Sequence, residues 1–379
     1  MLKLLFIEDE PSSVEPVLSL IKREQADMQC QVSGFGEAED EIASFRPDIV
    51  ILDLLVGGAS PEPEPEGLKT RDFIWDQHFC PIVVYSARPD IHDEKNEAHP
   101  FVKSIQKGRD SPQRVLEALQ ELRPHVEALH GAEEHIQQSF ALAMRDVAPD
   151  AFRFFDDAER CNDVILRAGR RRVAALMDDL SARGDRLASW EQYLSPPIGP
   201  NIQLGDILMK ADGEKNDPAS FRLVLTPSCD LVASDGRAPK VDNVLLARCI
   251  SIEDALTRIQ MKPGRKKLKD EKELGAFRER LTKSILTQGY YKEMILLPSL
   301  EGKIPSMAAD LRSLELLPLA NIGSSGKAFL RIASIDSPFR ELVSWAYLQI
   351  ACRPGLPDRD FDAWCDEIVS LLEGEGGDK

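Results

Sequence analysis

The sequence predicts a doubly wound α/β sheet of five parallel strands at the N-terminus, then a helical connector, then an α+β domain. Three observations predict it. Short apolar runs alternate with helix-period segments through residues 1–123, the pattern of a parallel sheet with right-handed crossovers. Residues 124–200 show heptad-like apolar spacing and no strand-like run. In residues 201–379 strand-like runs dominate around a charged helical insert at 251–286, and helical periodicity returns from Ser337. A length of 379 residues suits two or three domains.

The first segment reads in order as follows. Leu2-Lys3-Leu4-Leu5-Phe6-Ile7 is a strand that runs into Glu8-Asp9-Glu10. Pro11-Ser12-Ser13 opens a helix in which Val14, Val17, Leu18 and Ile21 recur at helical spacing. Cys30 to Phe35 is the second strand, and Ala38 to Phe45 a helix that ends before Pro47. Asp48-Ile49-Val50-Ile51-Leu52-Asp53 holds four successive apolar residues, three of them β-branched, so this strand is buried on both faces and aims Asp53 at one edge of the sheet. Gly67 to Trp75 is helical, Pro81 to Tyr85 is a strand ending at Ser86-Ala87, and a weak helix is expected near residues 91–98. Phe101 to Gln106 is the last strand, ending at Lys107, and Ser111 to Leu122 the last helix. The C-termini of parallel strands converge on one crevice, so three acids, a hydroxyl and a lysine are expected to meet there.

These four strand ends resemble the receiver domain of two-component response regulators. Glu8 and Asp9 match the acidic pair of that family's first loop, Asp53 its phosphoacceptor, Ser86-Ala87 its hydroxyl position with a small neighbour, and Lys107 its lysine, with Lys103 as the alternative. The resemblance covers about a third of the chain. It implies that Asp9, Asp53, the backbone carbonyl of Leu55 and waters hold Mg²⁺, with Glu8 acting directly or through water. It implies further that Asp53 takes a phosphoryl group from a phosphohistidine on a sensor histidine kinase or a phosphotransfer protein, with Lys107 and Ser86 assisting. Three features depart from the family pattern. The loop Val56 to Glu66 is long, with alternating Pro and Glu; Gly108 stands where proline is usual; and Ser104 stands where many receivers carry an aromatic that swings with the switch.

In the connector, Pro124 can open a new helix at its first turn. Ile136, Phe140, Ala143 and Val147 form one apolar seam, and Leu166, Val173, Met177 and Leu180 another, so a helical hairpin or a homodimer interface is expected, with a plain helical layer as the alternative. His130 and His135 lie here, neither followed by the acidic and then apolar residue that would mark a phosphoryl-carrying histidine bundle, and Arg170-Arg171-Arg172 reads as a solvated face. Pro196-Pro197-Ile198-Gly199-Pro200 marks a boundary.

Beyond it, Ile202–Leu208, Phe221–Leu225, Asn243–Ile250, Glu293–Leu297 and Ala328–Ile335 are strand-like, giving a small open β-barrel or sheet that carries C-terminal helices. Leu225-Thr226-Pro227-Ser228-Cys229-Asp230-Leu231 is similar to a Cys-Asp-Leu signature of bacterial sequences with no assigned activity, which also share the Tyr290 to Pro298 strand and the Ser337 to Arg340 helix start. Cys229 and Asp230 are the candidate output site. The structural alternative is a buried cysteine in a turn whose Asp230 caps backbone amides. Every histidine lies at or before His135, which excludes a Cys-His pair within this domain.

Composition narrows the function classes. The net charge is −17, with 22 basic and 37 acidic residues in 1–200 against 25 and 27 in 201–379. An acidic chain lacks the clustered cations that phosphate-backbone binding requires, and its longest basic run, Lys262 to Lys269, leads straight into Asp270-Glu271. No apolar run approaches the roughly 18 residues of a membrane span, and the apolar start is too short for a signal peptide, so a cytoplasmic protein is expected. Seven cysteines without a CxxC pair fit free thiols. The functional expectation is a response regulator whose output is a protein-interaction adaptor with a downstream protein target. A regulated enzyme acting around Cys229 and Asp230 on a nucleotide or other small substrate is second, and a DNA-binding regulator third.

Overall fold

The computed structural model describes residues 1–25, 27–55, 66–89, 99–178, 186–233, 237–264, 269–323, 326–352 and 359–374. The chain divides into two compact units, Met1–Gly184 and Asp185–Lys379.

In the first unit, β1 (Leu2–Ile7), β2 (Met28–Ser33), β3 (Ile49–Leu52), β4 (Ile82–Ser86) and β5 (Val102–Gln106) form one sheet. All neighbours are parallel, in the order β2-β1-β3-β4-β5. The period-2 alternation of strand side chains splits the core into two layers. On one face Leu4, Phe6, Ile51, Val83 and Tyr85 pack under α1 (Pro11–Glu24) and the start of α4 (Ser111–Phe154). On the other, Leu5, Ile7, Val50, Leu52 and Val84 pack under α2 (Ala38–Phe45) and α3 (Glu66–Gln77). The helix expected near 91–98 and the Pro-Glu loop after Val56 lie outside the described residues.

The main departure from expectation is α4. Pro124 does not open a helix; it sits inside one continuous helix of 44 residues, about 66 Å long. An interior proline removes one backbone hydrogen bond and costs about 3 kcal/mol. Leu122 and Val126, buried on either side of it in the sheet core, hold the helix in place. Beyond the proline, His130 Nε2 lies 2.7 Å from Asp48 Oδ1 and Arg46 pairs with Glu133 at 3.1 Å, so α4 is also tied to the N-terminal edge of the sheet. The expected boundary at 123/124 therefore falls within a helix. α5 (Ala158–Met177), whose first turn is capped by the Asp157 carboxylate, folds back on α4 as a hairpin. Arg172 meets Asp146 at 3.1 Å, and Gly169 allows close approach, since a Cβ there lies 2.5 Å from the Met144 methyl. Of the expected seams, Ala143 is buried, while Phe140 and Leu166 are exposed; Leu180 lies outside the described residues.

The second unit is built on an eight-stranded sheet. Its strands are β6 (Tyr193–Leu194), β7 (Asp206–Lys210), β8 (Phe221–Val224), β9 (Asn243–Ser251), β10 (Met294–Leu297), β11 (Met307–Pro318), β12 (Ile322–Gly323) and β13 (Phe329–Ile335). The order is β10-β11-β9-β8-β7-β13-β12, with β6 also on β13, and every pair is antiparallel except β12 with β13. The five predicted strands are present with shifted ends, but the longest, β11, was not predicted. Its Ala-Ala and Leu-Leu content lacks β-branched residues and its acids, Asp310 and Glu315, break the apolar alternation. Both acids have partners: Arg258 bonds Asp310, and Arg222 and Arg248 both bond Glu315. α6 (Ser228–Leu231) is a single turn, and α7 (Ile252–Arg258) and α8 (Glu271–Leu281) make up the helical insert. α9 (Phe339–Ala351) buries Val343 and Ala346 in the sheet core, whereas α10 (Phe361–Gly374) is exposed wherever its side chains are described.

Candidate functional site

The sheet order reverses between β1 and β3, and in open α/β sheets ligands bind at that switch point, outside the strand C-termini. Ile7 pairs with Leu52, and Leu52 with Val84, so Glu8 and Asp53 emerge side by side and Ser86 stands at the next strand end. Backbone hydrogen bonds continue the ladder past the strands: Asp53 N to the Ile7 carbonyl at 3.0 Å, Glu8 N to Ser33 at 3.0 Å, and Lys107 N to Ser86 at 2.9 Å. The register that buries both faces of the sheet thus also fixes the site.

The side chains converge around one ammonium. Lys107 Nζ donates to Glu8 Oε2 at 2.5 Å, to Asp53 Oδ2 at 2.6 Å and to Ser13 Oγ at 3.4 Å, and lies 5.6 Å from the centre of the buried Tyr85 ring. Asp53 Oδ1 accepts from the amides of Leu54 and Leu55, at 2.6 and 3.3 Å, so its carboxylate is held at both oxygens. Asp53 and Glu8 are both buried, and Ser86 is wholly so, its Oγ accepting from Arg88 N at 3.4 Å. Lys103, the alternative lysine, instead bonds Glu121 at 2.6 Å on an exposed surface.

Burial pushes the Glu8 carboxyl above the usual carboxylate range; the Lys107 hydrogen bond and charge oppose this and the Asp53 charge adds to it. Burial also acts to lower Lys107, but the hydrogen bonds and charges of Asp53 and Glu8 outweigh it and hold the ammonium above its ordinary value.

Glu8, Asp9 and Asp53 can each bring one oxygen within 4.8 Å of the others. An all-oxygen set of three carboxylates, with one bonded ammonium, fits a hard divalent cation such as Mg²⁺.

Two supporting residues carried no sequence signal strong enough to find them. Gly67, the second residue of α3, lies directly against the Asp53 loop, where a Cβ would lie 2.2 Å from the Asp53 carbonyl oxygen. Ser111, the first residue of α4, bonds the Tyr85 hydroxyl at 2.9 Å and both backbone groups of Gly108, staple-like, beside Lys107.

In the second unit, Cys229 is exposed, not buried, because α6 is a one-turn surface helix. Its Sγ lies 3.6 Å from Asp230 Oδ1, which also takes Lys240 Nζ at 2.9 Å. That hydrogen bond holds the Asp230 carboxyl below the usual range.

No family model and no curated protein matches the chain. Solved structures do. The activated N-terminal receiver domain of Klebsiella pneumoniae RstA is 27% identical and covers 33% of this chain and 97% of its own, with a TM-score of 0.24. The response regulator domain of Thermotoga maritima CheB is 16% identical over 34% of this chain and 97% of its own, with a TM-score of 0.27. A two-component transcriptional regulator of Clostridium phytofermentans is 17% identical over 35% of this chain and 99% of its own, also at 0.27. The N-terminal third of the chain is similar to response-regulator receiver domains, and these matches leave the C-terminal half without a counterpart.

Proposed function

We propose that the chain is a response regulator that accepts a phosphoryl group on Asp53 and passes the change to a protein-interaction adaptor in its C-terminal half. The observation that carries this reading is the Lys107 ammonium bonded to both Glu8 and Asp53 at the switch point, with Ser86 at the adjoining strand end. Asp53 attacks the phosphorus of a phosphohistidine on a sensor kinase or phosphotransfer protein; the new P–O bond forms as the P–N bond breaks and the imidazole leaves. The Leu54 and Leu55 amides orient the carboxylate for that attack. Lys107 neutralises charge on the transferred oxygens, and the Ser86 hydroxyl donates to them. Glu8, Asp9, Asp53 and the Leu55 carbonyl would hold Mg²⁺, which when bound supplies further charge neutralisation at the same oxygens.

When Lys107 turns toward the phosphoryl group, its loop moves with it, and Ser111 couples that loop to the first turn of α4. Ser104 offers no aromatic side chain to swing, so α4, which runs without a break from the site into residues 124–154, is the relay into the connector. The overall acidity supports an adaptor over a DNA reader. The exposed thiol beside Asp230 keeps an enzyme as the second reading, but the Lys240 bond makes that carboxylate a weak base. Cys229→Ser with Asp230→Asn should leave an adaptor working and abolish an enzyme.

The test of the receiver is beryllofluoride with Mg²⁺, a phosphoryl mimic. Wild type should gain thermal stability and Asp53→Asn should not; equal responses from the two, or none from wild type, would refute the assignment.

A further inference from the structure

We infer that two copies of this chain exchange their C-terminal helices, each α10 seating in a groove beside α9 of the other copy. The two surfaces are complementary and both stand open on the second unit. On α10, Phe361, Trp364, Ile368, Leu371 and Leu372 recur at helical spacing and fall on one stripe, and each is between 46% and 70% exposed. The rest of the helix carries Asp362, Asp366 and Glu367, and its sequence has no basic residue. A free 14-residue helix with an unburied apolar stripe is marginal in water.

The groove, of about 990 Å³, supplies what that helix lacks. Its apolar wall is Tyr290, Trp345, Leu348 and Ile350, with Tyr290 and Trp345 in edge contact at 5.8 Å. Trp345 and Leu348 are about half exposed although they sit on a helix whose opposite side is core. Lys292 and Arg312, both exposed, stand in the same lining with one acid among the described residues, Glu293. An acidic helix with an apolar stripe therefore meets aromatic surface and two cations.

The second copy is favoured as the donor by the self-complementarity of the unit. One chain shows both an uncovered helix and an uncovered groove, so a twofold pairing buries both at once on both copies, in the isologous manner of most homodimers. It also fits the enrichment of tryptophan and tyrosine at the centres of such interfaces.

Charge exchange on the full-length chain tests this directly. Lys292→Glu with Arg312→Glu reverses the groove, and Asp366→Lys with Glu367→Lys reverses the helix; all four positions are exposed, so folding is checked by circular dichroism alone. Light scattering over a dilution series should give a dimer for wild type, association weakened at least tenfold toward single chains for each variant alone, and a restored dimer when the two variants are mixed. In the mixture both interfaces are again of opposite charge, which a merely structural defect could not reproduce. Wild type running as a single chain, or variants that keep the wild-type mass, overturns the proposal; the first result would assign α10 to its own groove or to none, the second would place any dimer elsewhere, as on the α4–α5 hairpin.

Discussion

Replacing Gly67 with alanine puts a Cβ 2.2 Å from the Asp53 carbonyl oxygen and 2.6 Å from Leu54 Cα. Both neighbours are backbone, so no side-chain rotation relieves the overlap. Ordinary contact needs about 3.5 Å, and the chain beside Asp53 must retreat by roughly 1 Å. Overpacking of this kind costs about 1–3 kcal/mol of stability. A displacement of about 1 Å at a reacting group lowers a rate by about 100-fold. The assay is urea unfolding of the Met1–Gly184 unit, paired with the rate of phosphorylation by a small-molecule phosphodonor in Mg²⁺. Gly36→Ala is the control, since nothing lies within 4 Å of its added Cβ. Wild-type stability and rate in Gly67→Ala would refute the claim that α3 is seated directly on the phosphoacceptor loop.

Other perturbations separate neighbouring residues. Lys107→Met should lower phosphoryl acceptance by about 100-fold or more, the scale of losing one electrostatic donor, and should push the Glu8 carboxyl still higher by removing the charge that opposes its burial, as read by NMR titration. Lys103→Ala should leave both unchanged, because its ammonium bonds Glu121. In the second unit, burial alone would raise Glu315, but Arg222 and Arg248 outweigh it and hold the carboxyl below the usual range. A depressed carboxyl stabilises the fold above the unfolded value of about 4.3 and loses that contribution as pH falls through the folded value. The stability difference between wild type and Glu315→Gln should therefore be constant near neutral pH and shrink in acid; a difference that grows in acid contradicts the pairing.

The first unit was legible because its central strands β1, β3 and β4 are short, apolar and buried on both faces, so each announces its end with a polar residue. Glu8, Asp53, Ser86 and Lys107 stand out in the sequence at strand ends; the structure bonds Lys107 to Glu8 and Asp53 and sets Ser86 at the adjoining strand end. Local reasoning failed where tertiary contacts decide. Pro124 looked like a helix start, yet packing of Leu122 and Val126 carries the helix through it. β11 was hidden because Glu315 is tolerated in a strand only through two arginines distant in sequence. Gly67 reads as an ordinary glycine until the Asp53 loop is placed against it. The structural alternative for Cys229, burial in a turn, fails because a one-turn helix at a strand end leaves it on the surface.

The most direct measurement is to incubate the full-length chain with Mg²⁺ and acetyl phosphate, trap acyl phosphate by borohydride reduction, and locate the modified residue by peptide mass spectrometry. Reduction should mark Asp53 in wild type, require Mg²⁺, and disappear in Asp53→Asn and nearly so in Lys107→Met. A mark on another carboxylate, or none on Asp53 under conditions that label a known receiver, would contradict the account.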